Sequence, residues 1–231
     1  MAGRLHVDHI DLATLCAPLV PRIRQPLVRS PNLAPRRPLS MLRFAPETPS
    51  TDSLELAEAF WGLTPAWLEV LDHAPHCARA ESLEQRPMFR EAFLSRRCAI
   101  PVTGIYAWVA GARGKQPFLI TRVDRSPLLL AAIWCGYPRP GESGFDSTAL
   151  VTVPTQGAIT PLSDRLPALL DGERLHAWLS PSTPMGEARA LLAPAAPGAL
   201  GAFPVERAIN DPRCQEWHCA RPIGPMRIDR A

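Results

Sequence analysis

Five short runs, at residues 98–102, 105–109, 118–123, 128–134 and 149–153, are rich in aliphatic and β-branched side chains and are parted by Gly, Pro, Asp and Ser. Runs of five to seven such residues bury their apolar atoms only as neighbouring strands, so they predict one sheet system at the centre of the fold. Helices fit only around it. Ser82 and Gln85 have capping-box spacing, Pro87 suits a first turn, and Met88, Phe89, Ala92 and Phe93 share one face, which predicts a helix over 83–95. Asp171 ahead of Leu175, Trp178 and Leu179 predicts an N-capped helix, and a further one is expected over 185–192. Residues 54–60 alternate like a strand but are good helix formers, so periodicity leaves both readings open.

The 231 residues suit one domain, taken as spanning 1–231, and 46% hydrophobic residues against 20% charged gives enough apolar surface for a sizeable core. Prolines gather at 18–49 and 181–204, where meandering surface loops are expected. His6, Asp8, His9 and Asp11 interrupt any signal peptide and no later segment is long and apolar enough to span a bilayer, so a cytoplasmic protein without membrane contact is expected. Six cysteines lack paired spacing, which predicts reduced thiols. The formal charge is only +3, yet Lys115 is the one lysine among 25 basic residues. Arginine suits phosphate and base stacking, although a GC-rich genome gives the same bias without any function.

Several blocks in order carry a resemblance: "MAGR" at 1–4, "NLAP" at 32–35, "FWGLTPAW" at 60–67, "CARAES" at 77–82, "PMFREAFLSRRCAIPVTGIYAW" at 87–108, "KQPFLI" at 115–120, "AAIW" at 131–134, "PLSDRLPALL" at 161–170 and "VERAIND" at 205–211. Together they resemble the SOS-response-associated peptidase (SRAP) family over nearly the whole chain. The resemblance implies an α+β fold in which twisted, mostly antiparallel sheets form a barrel-like core with short peripheral helices, and it makes 54–60 a strand.

Members of that family shield abasic sites in single-stranded DNA. A cysteine directly after the initiator methionine meets the ring-opened sugar aldehyde, its amine and thiol together closing a thiazolidine. An asparagine, a glutamate and a histidine assist. The matching positions here hold Ala2, Cys77, Ala107 and Ser163. The resemblance therefore implies a degenerate site, a pseudoenzyme unable to form the thiazolidine crosslink. Residual chemistry from the Ala2 α-amine or the Cys77 thiol is the rival reading. A peptidase activity finds no site, since Ser163 beside Asp164 lacks the turn and base of a serine hydrolase.

The DNA-binding side of the resemblance is better kept. Arg4, Arg79 and Arg165 match arginines that meet the phosphate backbone, Trp108 and the 61–67 loop match aromatic and wedge-like positions, and Asn32 lies in a loop beside the same site. Single-stranded or junction DNA is the expected partner, a protein partner the alternative, and a monomer the default. The bland readings are ion pairs to Glu81 or Asp164 for the arginines, core packing for the tryptophans and an inert buried thiol for Cys77. No cofactor is expected, and His73, His76 and Cys77, like Cys214, His218 and Cys219, lack the paired spacing of a metal site.

Overall fold

The computed structural model describes residues 3–46, 53–111, 114–139 and 141–228. In chain order the strands are β1 (Leu5–Val7), β2 (Arg22–Ile23), β3 (Ser30–Leu33), β4 (Pro38–Phe44), β5 (Leu54–Trp61), β6 (Cys77–Arg79), β7 (Arg97–Val102), β8 (Gly104–Gly111), β9 (Gly114–Arg122), β10 (Leu128–Arg139), β11 (Glu142–Pro154), β12 (Arg165–Pro167), β13 (Leu169–Leu170), β14 (Leu200–Pro204) and β15 (Arg227–Ile228). The helices are α1 (Leu12–Cys16), α2 (Pro87–Ser95), α3 (Gly172–Leu179) and α4 (Met185–Ala190).

Strands β10, β7, β4 and β5 pair antiparallel in that order, and β11 pairs β10 on one side and β5 on the other, which closes a five-stranded barrel. The closing β11–β5 pairing is parallel, with Ser147 opposite Phe60 and Thr148 opposite Trp61. Closure removes the sheet edges that would otherwise invite association. A second, six-stranded sheet runs β15-β14-β9-β8-β1-β3. One apolar core draws on both sheets, with Leu130, Ile133 and Val151 from the barrel beside Leu5, Ile105 and Ile120 from the other layer. The five runs that predict one sheet system thus divide between two sheets, since β8 and β9 leave the barrel. Strand periodicity specifies a buried face but not which neighbour supplies it.

Segment 54–60 is a barrel strand, and its alternating burial is what packing one face of the barrel wall demands. The proline-rich stretch 18–49 departs from the surface loop expected: β3 is buried at all four positions and β4 is a barrel strand. Pro38 opens β4, and Pro31 lies in β3 at the edge of its sheet, positions where a missing N–H costs no ladder bond. Helix α2 begins at Pro87 rather than at 83, because proline drives the preceding Arg86 to extended backbone (φ −92°, ψ 121°) and no helix runs through it. The Ser82 hydroxyl donates to Arg79 O instead of capping. Strands β10 and β11 outrun expectation through Gly136 and Pro138, held by the Tyr137–Phe145 pair. Asp171 caps α3 by accepting from Arg174 N at 2.8 Å. Among the described residues no helix is long and apolar enough to cross a membrane.

Candidate nucleic-acid interface

Leu5 and Val7 turn into the core, so strand alternation sends Arg4 and His6 to the other face. There Arg4 Nη1 donates to Asn32 Oδ1 at 2.6 Å and to Ile209 O at 3.1 Å, and the guanidinium lies 5.6 Å over the Trp108 ring. The Trp108 indole is half-buried and donates to Asn210 Oδ1 at 2.7 Å. Asn32 is fully buried, and its Nδ2 bonds Ile209 O, Asp211 O and Cys214 O at 3.2, 2.9 and 3.0 Å. One amide thereby fastens the segment 209–214 beneath Arg4. Asn32 presents no surface to a ligand and acts by holding others in place.

Arg4 Nε is buried without a hydrogen-bond partner. Among the described residues no carboxylate ion-pairs with Arg4 and nothing bonds its Nη2. Desolvation lowers the Arg4 pKa, against the opposing charges of Tyr106 and Asp211, and the guanidinium stays charged.

A second group gathers around β11. Leu150, Val151 and Thr152 pair with Cys77, Ala78 and Arg79 on one side, while Thr152 and Pro154 pair with Pro167 and Arg165 on the other. Arg165 bonds Thr152 O and Glu81 Oε2, each at 2.7 Å, with its side chain only 11% exposed. The hydrogen bond from Arg165 holds the Glu81 carboxyl below its usual pKa, against the opposing effect of partial burial. Arg79 is exposed and forms no ion pair among the described residues. The Ser163 hydroxyl donates to Arg165 O at 2.7 Å. Burial pushes the Cys77 thiol up to about 12, which keeps it a thiol at neutral pH.

Ala107 lies in β8 between Tyr106 and Trp108, yet it belongs to the main core while those two face the C-terminal segment. Trp61 is wholly buried and donates to His76 O, so it packs the core, whereas Trp67 is 58% exposed. Ala2 lies outside the described residues. The expected positions therefore form two groups, Arg4 with Asn32 and Trp108, and Cys77 and Arg79 with Ser163 and Arg165. At the positions matching the family's reacting residues, Cys77 is a thiol whose pKa burial raises, Ala107 a methyl group, and no base hydrogen-bonds Ser163 among the described residues.

An open groove of about 540 Å³ flanks the far end of β1, lined by His6, Arg29, Arg125, Trp217 and Arg221 among others. His6 Nδ1 lies 2.6 Å from Thr103 Oγ1, and burial pushes its imidazole down to about 4. Spacing in the sequence gives no hint that Glu206 joins His218 and Cys219, with donor atoms all within 4.8 Å of one another, because a turn of chain separates them.

Residues 1–212 match the SOS response associated peptidase (SRAP) family. The chain is 27% identical over 162 residues to the abasic site processing protein YoqW of Bacillus subtilis, covering 68% of this chain and 72% of that one. It is 28% identical over 180 residues to YedK of Escherichia coli, of the same description, covering 74% and 77%. To the abasic site processing protein HMCES of Xenopus tropicalis it is 25% identical over 211 residues, covering 80% and 62%. Among solved structures, a protein from Bacteroides thetaiotaomicron superposes with a TM-score of 0.70 at 23% identity, covering 80% and 84%. A phage-related protein from Bordetella bronchiseptica gives 0.65 at 26% identity, covering 89% and 94%. With a match over residues 1–212 and the barrel just described, the chain belongs to the SOS response associated peptidase family.

Proposed function

We propose that this protein grips single-stranded or junction DNA at abasic sites, as part of handling DNA damage, without forming a covalent bond to the lesion. The ligand class follows from the relatives named as abasic site processing proteins. The observation that carries the reading is the state of Arg4: a half-buried guanidinium, oriented by Asn32 and Ile209 O, with no carboxylate at ion-pair distance among the described residues and only the more distant charge of Asp211 to answer it. Such a cation gains most from a phosphate, which accepts its remaining N–H groups in a planar fork. Arg79, exposed and likewise without an ion pair among the described residues, offers a second contact. Trp108, held by Asn210 beneath Arg4, offers a ring on which a base stacks, worth about 1–3 kcal/mol. Arg165 has its charge answered by Glu81 and serves chiefly to tie β12 to β11.

The loss of covalent chemistry rests on the residues at the reacting positions. Thiazolidine formation needs an amine and a thiol on one residue, and residue 2 is alanine. The Cys77 thiol is kept protonated by burial and has no amine of its own residue to close a ring.

Replacing Arg79 with alanine tests the contact assigned to it. Its single-stranded DNA affinity should fall equally for all base sequences, and the slope of log affinity against log salt should become shallower by about 0.7 to 1. Fluorescence anisotropy across a salt series reads both. A slope identical to that of the unaltered protein removes Arg79 from the interface.

A further inference from the structure

We infer that Cys214, His218, Cys219 and Glu206 form a binding site for one thiophilic divalent cation, with zinc the ion that the donor set fits best. The Cys219 Sγ lies 3.3 Å from the Cys214 Sγ and 3.5 Å from His218 Nε2. Donor atoms of Glu206, His218 and Cys219 all lie within 4.8 Å of one another. A tetrahedral zinc with Zn–S near 2.3 Å and Zn–N near 2.0–2.1 Å requires donor separations of about 3.8 Å between sulfurs and about 3.6 Å from sulfur to nitrogen. The two observed separations are edges of that tetrahedron drawn slightly inward.

The donors arrive from three places. Glu206 precedes the 3-10 turn Arg207–Asn210, Cys214 follows it, and His218 and Cys219 lie on the turn Trp217–Ala220. A carboxylate, an imidazole and two thiols have little reason to meet as neutral neighbours, since thiols are weak hydrogen-bond partners. A cation answers Glu206, His218 and Cys219 together, and Cys214, whose Sγ lies 3.3 Å from that of Cys219, is the fourth donor within a side-chain movement of it. On binding, both S–H bonds break, two S–metal bonds form and two protons pass to solvent. His218 supplies a nitrogen lone pair and Glu206 a carboxylate oxygen.

Cys214 O is one of the three carbonyls held by Asn32, so an ion at this site stiffens the segment on which Arg4 rests. The cation therefore acts as a structural staple.

The test uses the whole chain, reduced and kept free of oxygen, titrated with Co²⁺. One equivalent should produce thiolate-to-cobalt charge-transfer absorption with the intense visible bands of tetrahedral coordination, and Zn²⁺ should displace it. Cys219→Ser and Cys214→Ser should each abolish the charge-transfer signal or weaken binding by more than the roughly 10–100-fold that outer-sphere partners are worth. Glu206→Gln should weaken binding while leaving both thiolate bands, and circular dichroism confirms that each variant is folded. A Co²⁺ spectrum unchanged from buffer overturns the inference. So does a Cys214–Cys219 disulfide that persists under reduction, or equal binding by the folded Cys219→Ser chain. DNA affinity plays no part in these readouts, so they fail or succeed separately from the proposed function.

Discussion

Arg97→Ala is expected to destabilise the protein by about 3–5 kcal/mol, a large fraction of the stability a domain of this size has. Arg97 is 2% exposed and lies at the start of β7, and among the described residues no carboxylate ion-pairs with it. Its guanidinium instead donates to five carbonyls: Phe93, Leu94, Trp178, Ser180 and Thr183. Phe93 and Leu94 belong to the last turn of α2, while Trp178 and Ser180 sit at the end of α3, so these are the oxygens that a helix leaves unbonded. A cation at two helix C-termini also meets the negative ends of both dipoles. The Trp178 ring lies 5.9 Å from the same guanidinium. Truncation leaves buried carbonyls without donors and frees two helices from the barrel. Urea unfolding measures the loss, and Arg97→Lys, with one ammonium for five acceptors, should fall between. A loss under about 1 kcal/mol for Arg97→Ala would mean that water replaces the network.

Acidification between pH 6.5 and about 4 should erode stability through His6. The folded imidazole titrates near 4 because burial disfavours its charged form, with Asp8 opposing weakly, against about 6.5 in an unfolded chain. In that window the unfolded state binds the extra proton, so stability is fully present above 6.5 and falls as pH drops. The slope is roughly 1 kcal/mol per pH unit mid-window, levelling below the folded value. Tyr106 and Trp217 meet the ring edge-on at 6.4 and 5.8 Å, and neither offers an anion. His6→Gln keeps a polar atom for Thr103 and removes the proton. The pH dependence of its urea midpoint should be shallower than that of the unaltered protein by this amount. Parallel curves would show that His6 is solvated enough to titrate normally.

The legible part of the fold was its strands. The apolar runs feeding β7 to β11 and the Asp171 cap are local patterns, and local patterns survive in a sequence, whereas 54–60 alternates but is built of good helix formers and became a strand only through the resemblance. Arg97 shows what was lost. An arginine beside Arg96 ahead of an apolar run reads as surface, and only the meeting of the α2 end just upstream with the α3 end 81 and 83 residues downstream makes it a buried cap. The same holds at the site. Resemblance picked out Arg4, Asn32 and Trp108, but nothing local says that Asn32 is buried to hold Arg4; the ion pair of Arg165 with Glu81 is the plain structural reading that the sequence also offered. Glu206 escaped notice because its partners lie beyond a turn, where spacing rules for metal ligands do not reach.

Binding and bond formation are separable because they use different atoms. Phosphate recognition needs guanidiniums, the role proposed for Arg4 and Arg79, while aldehyde capture needs a paired amine and thiol with groups to move protons. The most direct test incubates the protein with a single-stranded oligonucleotide carrying one abasic site, with and without borohydride, and runs each mixture on native and denaturing gels. The expected result is a shifted band on the native gel, weakened by salt, and free oligonucleotide on the denaturing gel in both arms. A band that survives denaturation, or the absence of any shift at low salt, would contradict it.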